Sequence, residues 1–320
     1  MNPKEFPQIE ACFSPRDFYL YEEDFEVVVV IDVLRATSAI CAAIENGVEG
    51  IIPVATVEDA RAYLDKGYIA AAEREGKIVE GFTLGWQEYA IANPASIRKI
   101  NPALAPIQTA VGVLGMPGMT AFFGLLHIGK PIPGDTVVVS AASGAVGQLV
   151  GQIAKIGGCH VVGIAGGKEK CDYLTNTLNF DAAIDYKNQN VDDMLDKYCP
   201  NGVNVYFDNV AGSTLDAVLE NMANFGVIAV CGLLENYASK ERLPGPYNYD
   251  LILMKRLRFE GFFSPDFYHR EAEINPILKK WDKSGHLKLP IEITDGLENL
   301  VSAYSKLFEG SNIGKVVVKV

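Results

Sequence analysis

From residue 26 onward, short uninterrupted apolar runs alternate with stretches whose apolar residues recur at helical spacing. EVVVVIDVL, EGIIPVA and YIAAAERE read as strands, while ATSAICAAIENG and TVEDARAYLDKG, closed by Gly47 and Gly67, read as helices. Between about 80 and 120 the periodicity gives way to GFTLGWQEYAIANPASIRKINPALAPIQ, rich in Pro, Asn and Gly, which predicts irregular connections with short strands and a seam between domains. A second and longer alternation starts at Thr136: TVVVSAA, AVGQLVGQIAKIGG, HVVGIAG, KEKCDYLTNTLN, AAIDY, VDDMLDKYC, VNVYFDNV, STLDAVLENM, GVIAVCG and LRFEGFF. Strands without polar alternation, separated by helices, predict a parallel sheet covered on both faces, a doubly wound α/β domain. After a helix around Ile277 to Trp281, the tail from His286 returns to short-strand character and ends NIGKVVVKV.

Charge and composition narrow the function classes. The formal charge of −12 would repel a phosphate backbone or an anionic membrane surface, so a nucleic-acid or membrane partner is not expected. An apolar share of 49% with 21% charged residues belongs to a folded globular chain. No apolar run approaches the ~20 residues needed to span a bilayer, and MNPKEFPQIEACF lacks a signal-peptide core, so a cytoplasmic protein is expected. Cys12, Cys41, Cys159, Cys171, Cys199 and Cys231 show neither CxxC nor Cys/His ligand spacing, and His127, His160, His269 and His286 share no metal spacing. Trp86 and Trp281 read as packing residues.

The sharpest local signal is VVVSAASGAVG, a strand that runs into Ala141-x-x-Gly144-x-x-Gly147 and then directly into an apolar helix. It reads as GxGxxG with alanine in place of the first glycine. Bare glycine backbone lets a pyrophosphate approach a helix N-terminus, whose free N–H groups and dipole favour an anion. Placed between strand and helix at the head of a βαβ series, the motif predicts dinucleotide binding in a Rossmann-type domain. At the end of the next strand, Gly166 and Gly167 occupy the place where an acid would meet a ribose 2′-OH, and Lys168 and Lys170 follow. A missing acid beside two cations favours the 2′-phosphate of NADP. Both lysines would also suit a solvated first helical turn, although cations there are mildly unfavourable.

The strings SAASGAVGQLVGQIAKIGGCHVVGIAGGKEKCDYL, DAAIDY, NVYFDNVAG, PGPYNYDLILMKRLRFEGF and GLENLVSAYSKLFEGSNIGKVVVKV resemble the zinc-free medium-chain reductases of the prostaglandin reductase type, from about Gly85 to Val320. That resemblance implies an NADPH-dependent reducer of the carbon–carbon double bond of α,β-unsaturated ketones, aldehydes or quinones, often a homodimer. It implies that Gly144, Ala145, Val146 and Gly147 hold the pyrophosphate, and that Lys170 and Tyr186, beside Gly166, hold the 2′-phosphate end. Asn209, Cys231, Gly232 and Asn312 would line the nicotinamide side. Tyr237, in CGLLENY, falls where the family places a tyrosine that hydrogen-bonds the substrate carbonyl; as a residue alone it could equally be a surface-loop aromatic. No metal site is implied.

The first third departs from that pattern. FSP, VVVVIDVLRATSAICAAIENGVEGIIPVATVEDA and AAEREGKIVEGFTLG resemble the start of 2-phosphosulfolactate phosphatase, a magnesium-dependent enzyme, over about residues 9 to 85. Asp32, Arg35 and Ser38 form a carboxylate, cation and hydroxyl set at a strand end suited to Mg²⁺ and phosphate, or else relics of a truncated fold. The chain thus reads as a chimera joined near Gly81 to Gly85. The expected domains are an α/β segment over 1–84, a partial GroES-like substrate domain over 85–125 and 286–320, and an NADP-binding Rossmann domain over 126–285. A Mg²⁺-dependent phosphatase and an NADPH-binding protein without turnover stand as alternatives to the reductase.

Overall fold

The computed structural model describes residues 79–81, 97–100, 105–238 and 244–319. The elements expected between 26 and 75, with Asp32, Arg35, Ser38 and also Trp86, lie outside the described residues.

Within the Pro- and Gly-rich stretch, β1 (Val79–Gly81) and β2 (Ile97–Lys99) pair antiparallel. Where the pattern predicted irregular connections with short strands, helix α1 (Met116–Phe123) forms and runs on through a wider turn to Lys130, which stops it at φ 54°. Its proline and glycine hide it in the sequence. Pro117 sits in the first turn, where its missing N–H has no helical acceptor to satisfy.

The second alternation folds as β3 (Thr136–Val139), α2 (Ala145–Ile156), β4 (His160–Ala165), α3 (Lys168–Asn176), β5 (Ala182–Asp185), α4 (Val191–Tyr198), β6 (Val203–Asp208), α5 (Gly212–Asn221), β7 (Met222–Val230), α6 (Leu234–Ala238), α7 (Asp250–Met254) and β8 (Arg258–Gly261). Six of these strands form one parallel sheet in the order β5-β4-β3-β6-β7-β8. The chain winds outward in one direction from β3 to β5 and then in the other from β6 to β8, so the order reverses between β3 and β6. Adjacent residues of β3 face opposite cores: Val137 and Val139 pack with Leu149, Ile153, Phe123 and Phe207, whereas Val138 packs with Ile164, Leu195, Leu215 and Ile228. Burial on both faces explains the uninterrupted apolar runs in the sequence. The sheet and the helices on its two faces form a doubly wound parallel α/β fold.

Beyond the sheet come α8 (Glu271–Lys283), β9 (Ile291–Asp295), α9 (Leu300–Glu309) and β10 (Lys315–Lys319). Strands β9 and β10 pair parallel in a separate two-stranded sheet. The tail therefore contains a helix where short strands were expected. Leu300, Ala303, Tyr304, Leu307 and Phe308 recur at helical spacing, and Gly310, at φ 63°, ends the run. Trp281 packs on Phe122 with ring centres 6.1 Å apart, and His127 stands edge-on to Phe123 and Phe267.

Candidate functional site

The chain leaves β3 through Ser140 and turns sharply at Ala141, whose φ of 47° lies in the left-handed region. The first-glycine position of the GxGxxG frame is in fact the buried Ala142, and its neighbour Ala141 takes the strained backbone, at about 1–2 kcal/mol for a non-glycine residue. Gly144 N–H donates to the Ala141 carbonyl (3.0 Å) and closes the turn. A Cβ on Gly147 would overlap that same carbonyl oxygen and lie 2.8 Å from Ala142 Cα, so only glycine lets α2 start this close to the strand. Gly144, the N-cap, is extended and offers no side-chain acceptor. The amides of Ala145, Val146 and Gly147 begin the helix with no carbonyl of a preceding turn to bond, as an anion cradle requires. Asn312 is brought to the same place: Gly314 N–H donates to the Ser143 carbonyl (2.9 Å), Gly314 bridges Gly144, and the buried Asn312 amide donates to the Gly314 carbonyl (3.3 Å).

Across the reversal point, Asn209 follows β6 and is tied to Ser140 twice. Its backbone N–H donates to Ser140 Oγ (2.9 Å) and its side-chain amide to the Ser140 carbonyl (2.7 Å). The Asp208 carbonyl accepts from the N–H groups of Cys231 (2.8 Å) and Gly232 (3.1 Å) at the end of β7. Asn209, Cys231, Gly232 and Ser140 are thus held at one sheet edge, on either side of the reversal. Burial, reinforced by the Asp208 charge, pushes the Cys231 thiol up to about 12, which leaves a neutral wall residue and not a nucleophile.

Asp208 itself is fully buried, and desolvation raises its carboxyl above the ordinary value. Its Oδ1 accepts from Tyr206 Oη, Val210 N and Ala211 N, each at 2.9 Å, and from Ser140 Oγ at 3.3 Å. Oδ2 has no partner among the described residues. Ala211 sits at φ 68°, ψ −152°, a region otherwise left to glycine, and the Asp208 network holds it there.

The third group lies at the ends of β4 and β5. Gly166 is flanked by Tyr186 and Lys187: a Cβ there would lie 2.9 Å from Lys187 Cε, 3.0 Å from Tyr186 Cε1 and 3.1 Å from its hydroxyl. Burial first, and then the charge of Lys187, push the Lys170 ammonium below its ordinary value, while Glu169 opposes the shift. Of the acids near this corner, Asp185 is occupied, and Glu169 lies in the first turn of α3 beside Lys170. Asp185 accepts from Asn188 (2.7 Å), Gly167 N–H (2.7 Å) and Lys187 N–H (3.1 Å), bonds that hold it below the usual carboxylate range. Lys168 is separated from Lys170, because it is exposed and pairs with Asp172 one turn along α3. Sequence reasoning missed Lys187, although it directly follows Tyr186, and missed Asp208 and Ser140, whose roles arise only when β3 and β6 become neighbours.

Tyr237 lies on α6, 64% exposed. That helix is hung on the crevice loop, with Leu234 N–H donating to the Asn209 carbonyl (3.2 Å) and Glu235 N–H to the Val210 carbonyl (3.1 Å).

Two family descriptions match separate stretches of the chain: 2-phosphosulpholactate phosphatase over residues 13–95 and zinc-binding dehydrogenase over residues 145–280. The NADP(+)-dependent 2-alkenal reductase of Nicotiana tabacum is 45% identical over 249 residues, 77% of this chain and 72% of that protein. The NADPH-dependent curcumin reductase of Escherichia coli is 42% identical over 252 residues, 77% of this chain and 73% of that protein. The crystal structure of CurA in complex with NADPH from Vibrio vulnificus superposes with a TM-score of 0.69 at 41% identity, covering 74% of this chain and 72% of that one. The chain belongs to the NADP-dependent medium-chain reductases. Among the described residues of this reductase, no group of three or more His, Cys, Asp or Glu comes close enough to share a metal ion, and no helix is long and apolar enough to cross a membrane.

Proposed function

We propose that this reductase binds NADPH along the carboxyl edge of its sheet and reduces the carbon–carbon double bond of an α,β-unsaturated ketone or aldehyde, or a quinone. The observation that carries the reading is the convergence of three features on one edge: an uncapped helix N-terminus over a glycine cradle, the order reversal between β3 and β6, and Lys187 against Gly166 beside the first turn of α3, which carries Lys170. Gly144, Ala145, Val146 and Gly147 hold the pyrophosphate through backbone N–H groups and the α2 dipole. Lys170 and Tyr186, with Lys187 beside them, hold the 2′-phosphate, and Asp185 is already occupied by its own hydrogen bonds. Asn209, Cys231, Gly232 and Asn312 line the nicotinamide side.

NADPH, when bound, supplies the hydride. Tyr237 donates a hydrogen bond to the substrate carbonyl oxygen, where negative charge develops once the β-carbon has accepted that hydride. A preformed donor aimed at that oxygen lowers the barrier more than it strengthens ground-state binding. Titration calorimetry with NADPH and with NADH, followed by a panel of enones and one quinone on the same sample, tests both halves. Binding of NADPH without oxidation by any of them would leave only the cofactor-binding half standing.

The domain reading keeps 126–285 as the nucleotide-binding body and assigns 85–125 and 286–320 to part of the substrate side; the separate β9–β10 pair supports the latter. The partner reading is a homodimer joined through the edge of the sheet. Strand β8 ends the sheet, and the exposed Phe259 on it lies near the exposed Leu253 and Met254 in sequence. Sedimentation of the protein with and without NADPH tests it. The location reading is cytoplasmic, in keeping with the free thiols Cys159, Cys171, Cys199 and Cys231.

A further inference from the structure

Helix α5 starts without a cap of its own. Its N-cap is Ala211, no side chain accepts from its first amides, and no acidic residue lies in its first turn. The Asp208 carboxylate accepts from the Ala211 N–H just ahead of it, and a second carboxylate lies against its first residue. The Glu235 carboxylate occupies the volume that a Cβ on Gly212 would fill, with Oε1 2.7 Å from that position and Oε2 nearer still. Gly212 is at φ +55°, so this first helical residue is one that suits glycine both in backbone and in space. A carboxylate this near a helix N-terminus is favourable through the macrodipole.

Glu235 belongs to α6, the five-residue helix that carries Tyr237. A helix this short is not stable by itself, so its position is set by what it is fastened to. Two fastenings are backbone bonds to Asn209 and Val210. The third contact is the packing of the Glu235 carboxylate against Gly212. Residues two apart on a helix project roughly 200° apart, so when Glu235 turns toward α5, Tyr237 turns away from it and out of the helix packing. The exposure of Tyr237 agrees with that orientation.

We infer that Glu235 is the positioning residue for Tyr237, latching α6 onto the N-terminus of α5 through its carboxylate. The inference rests on the role of Tyr237 proposed above, and it assigns Glu235 no contact with substrate or cofactor.

The test compares the full chain with Glu235→Ala and Glu235→Gln, each with Tyr237 and with Tyr237→Phe. Three quantities are read: kcat for enone reduction, NADPH affinity, and amide hydrogen exchange over residues 234–237 without cofactor. The expected result is faster exchange in α6 for Glu235→Ala, a kcat lowered by ~10- to 10²-fold with NADPH affinity unchanged, and partial recovery in Glu235→Gln. In the Tyr237→Phe background, Glu235→Ala should add little further loss, since the two residues act as one unit. Unchanged exchange in α6 overturns the latch. An equal kcat loss from Glu235→Ala in both backgrounds overturns the coupling to Tyr237. If Tyr237→Phe alone is silent, the proposed role of Tyr237 fails, and the latch then stands or falls on the exchange measurement.

Discussion

Lys187 weakens the hold of Lys170 on its proton across the Gly166 turn, adding to the larger effect of burial. Burial and a neighbouring cation both disfavour the charged form of Lys170, with Glu169 offsetting only part of the effect, and a dianionic group would relieve it. Lys170 should therefore give NADPH an advantage over NADH of ~1.5–3 kcal/mol, roughly 10- to 150-fold in affinity, and Lys170→Glu should erase or reverse it. Calorimetry with both cofactors checks this; equal affinities in the unaltered protein would remove the 2′-phosphate assignment.

The same pair predicts a pH dependence. Because the Lys170 pKa is lowered from its ordinary 10.5, its charge disappears at lower pH than that of an exposed lysine. A bound 2′-phosphate stays doubly charged above its second pKa of ~6, so affinity for adenosine 2′-monophosphate should fall as pH rises through the depressed Lys170 value. Lys187→Met should move that fall to higher pH while weakening binding at neutral pH. A fall at the same pH in both forms would show that the two ammonium groups are not coupled.

Gly147→Ala should weaken NADPH binding and destabilise the fold together. The added methyl meets the Ala141 carbonyl and Ala142 Cα, both backbone, so α2 must move away from β3, at about 1–3 kcal/mol. Thermal unfolding and cofactor titration of the same variant measure the two effects.

Asp208 predicts stability against pH with a definite sign. Its carboxyl pKa is raised by burial, so between the ordinary 3.8 and the raised value the folded state binds more protons than the unfolded state. Stability should fall as pH rises through that window. Asp208→Asn should remove this component, so the difference in unfolding free energy between the two forms should change across the window and level off above it. Denaturant titrations at a series of pH values read the difference directly.

Tyr237→Phe should slow enone reduction by ~10²- to 10³-fold with NADPH affinity unchanged, by analogy with the loss of one oxyanion donor. Stopped-flow oxidation of NADPH by the two forms decides it. The N-terminal third should release no phosphate from 2-phosphosulfolactate, since Mg²⁺ and a phosphoester need several sets of ligands and the sequence offers one such set, Asp32 to Ser38. Release that disappears in Asp32→Asn would reverse that reading.

The sheet was legible because both of its faces are buried, so TVVV, HVVGIA and VNVYFD carry no polar alternation to obscure them. The glycine cradle was legible because Gly144 and Gly147 are local to one turn. Helix α1 was hidden by Pro117 and Gly118, and α9 by an apolar stripe that passes for strand character beside NIGKVVVKV. Within the site, Lys170 and Tyr186 could be named from resemblance, but Lys187 gained its meaning only when the turn after β5 folded beside Gly166. Asp208 was invisible for a related reason. Its significance lies in the donors from the turn after β3, from β6 and from the following loop that meet at one oxygen, and no spacing in the sequence records such a meeting.

Ala141 and Ala211, the two left-handed alanines, stand at the carboxyl ends of neighbouring strands on either side of the order reversal. Each methyl narrows the range of backbone shapes its turn can visit, where glycine would let the loop wander. Ordering of the two loops is thus completed when the chain folds and need not be repeated at each encounter with a ligand. The crevice should accept its cofactor as a preset mould, with little entropy lost by the protein and little rearrangement of these turns between the free and loaded forms.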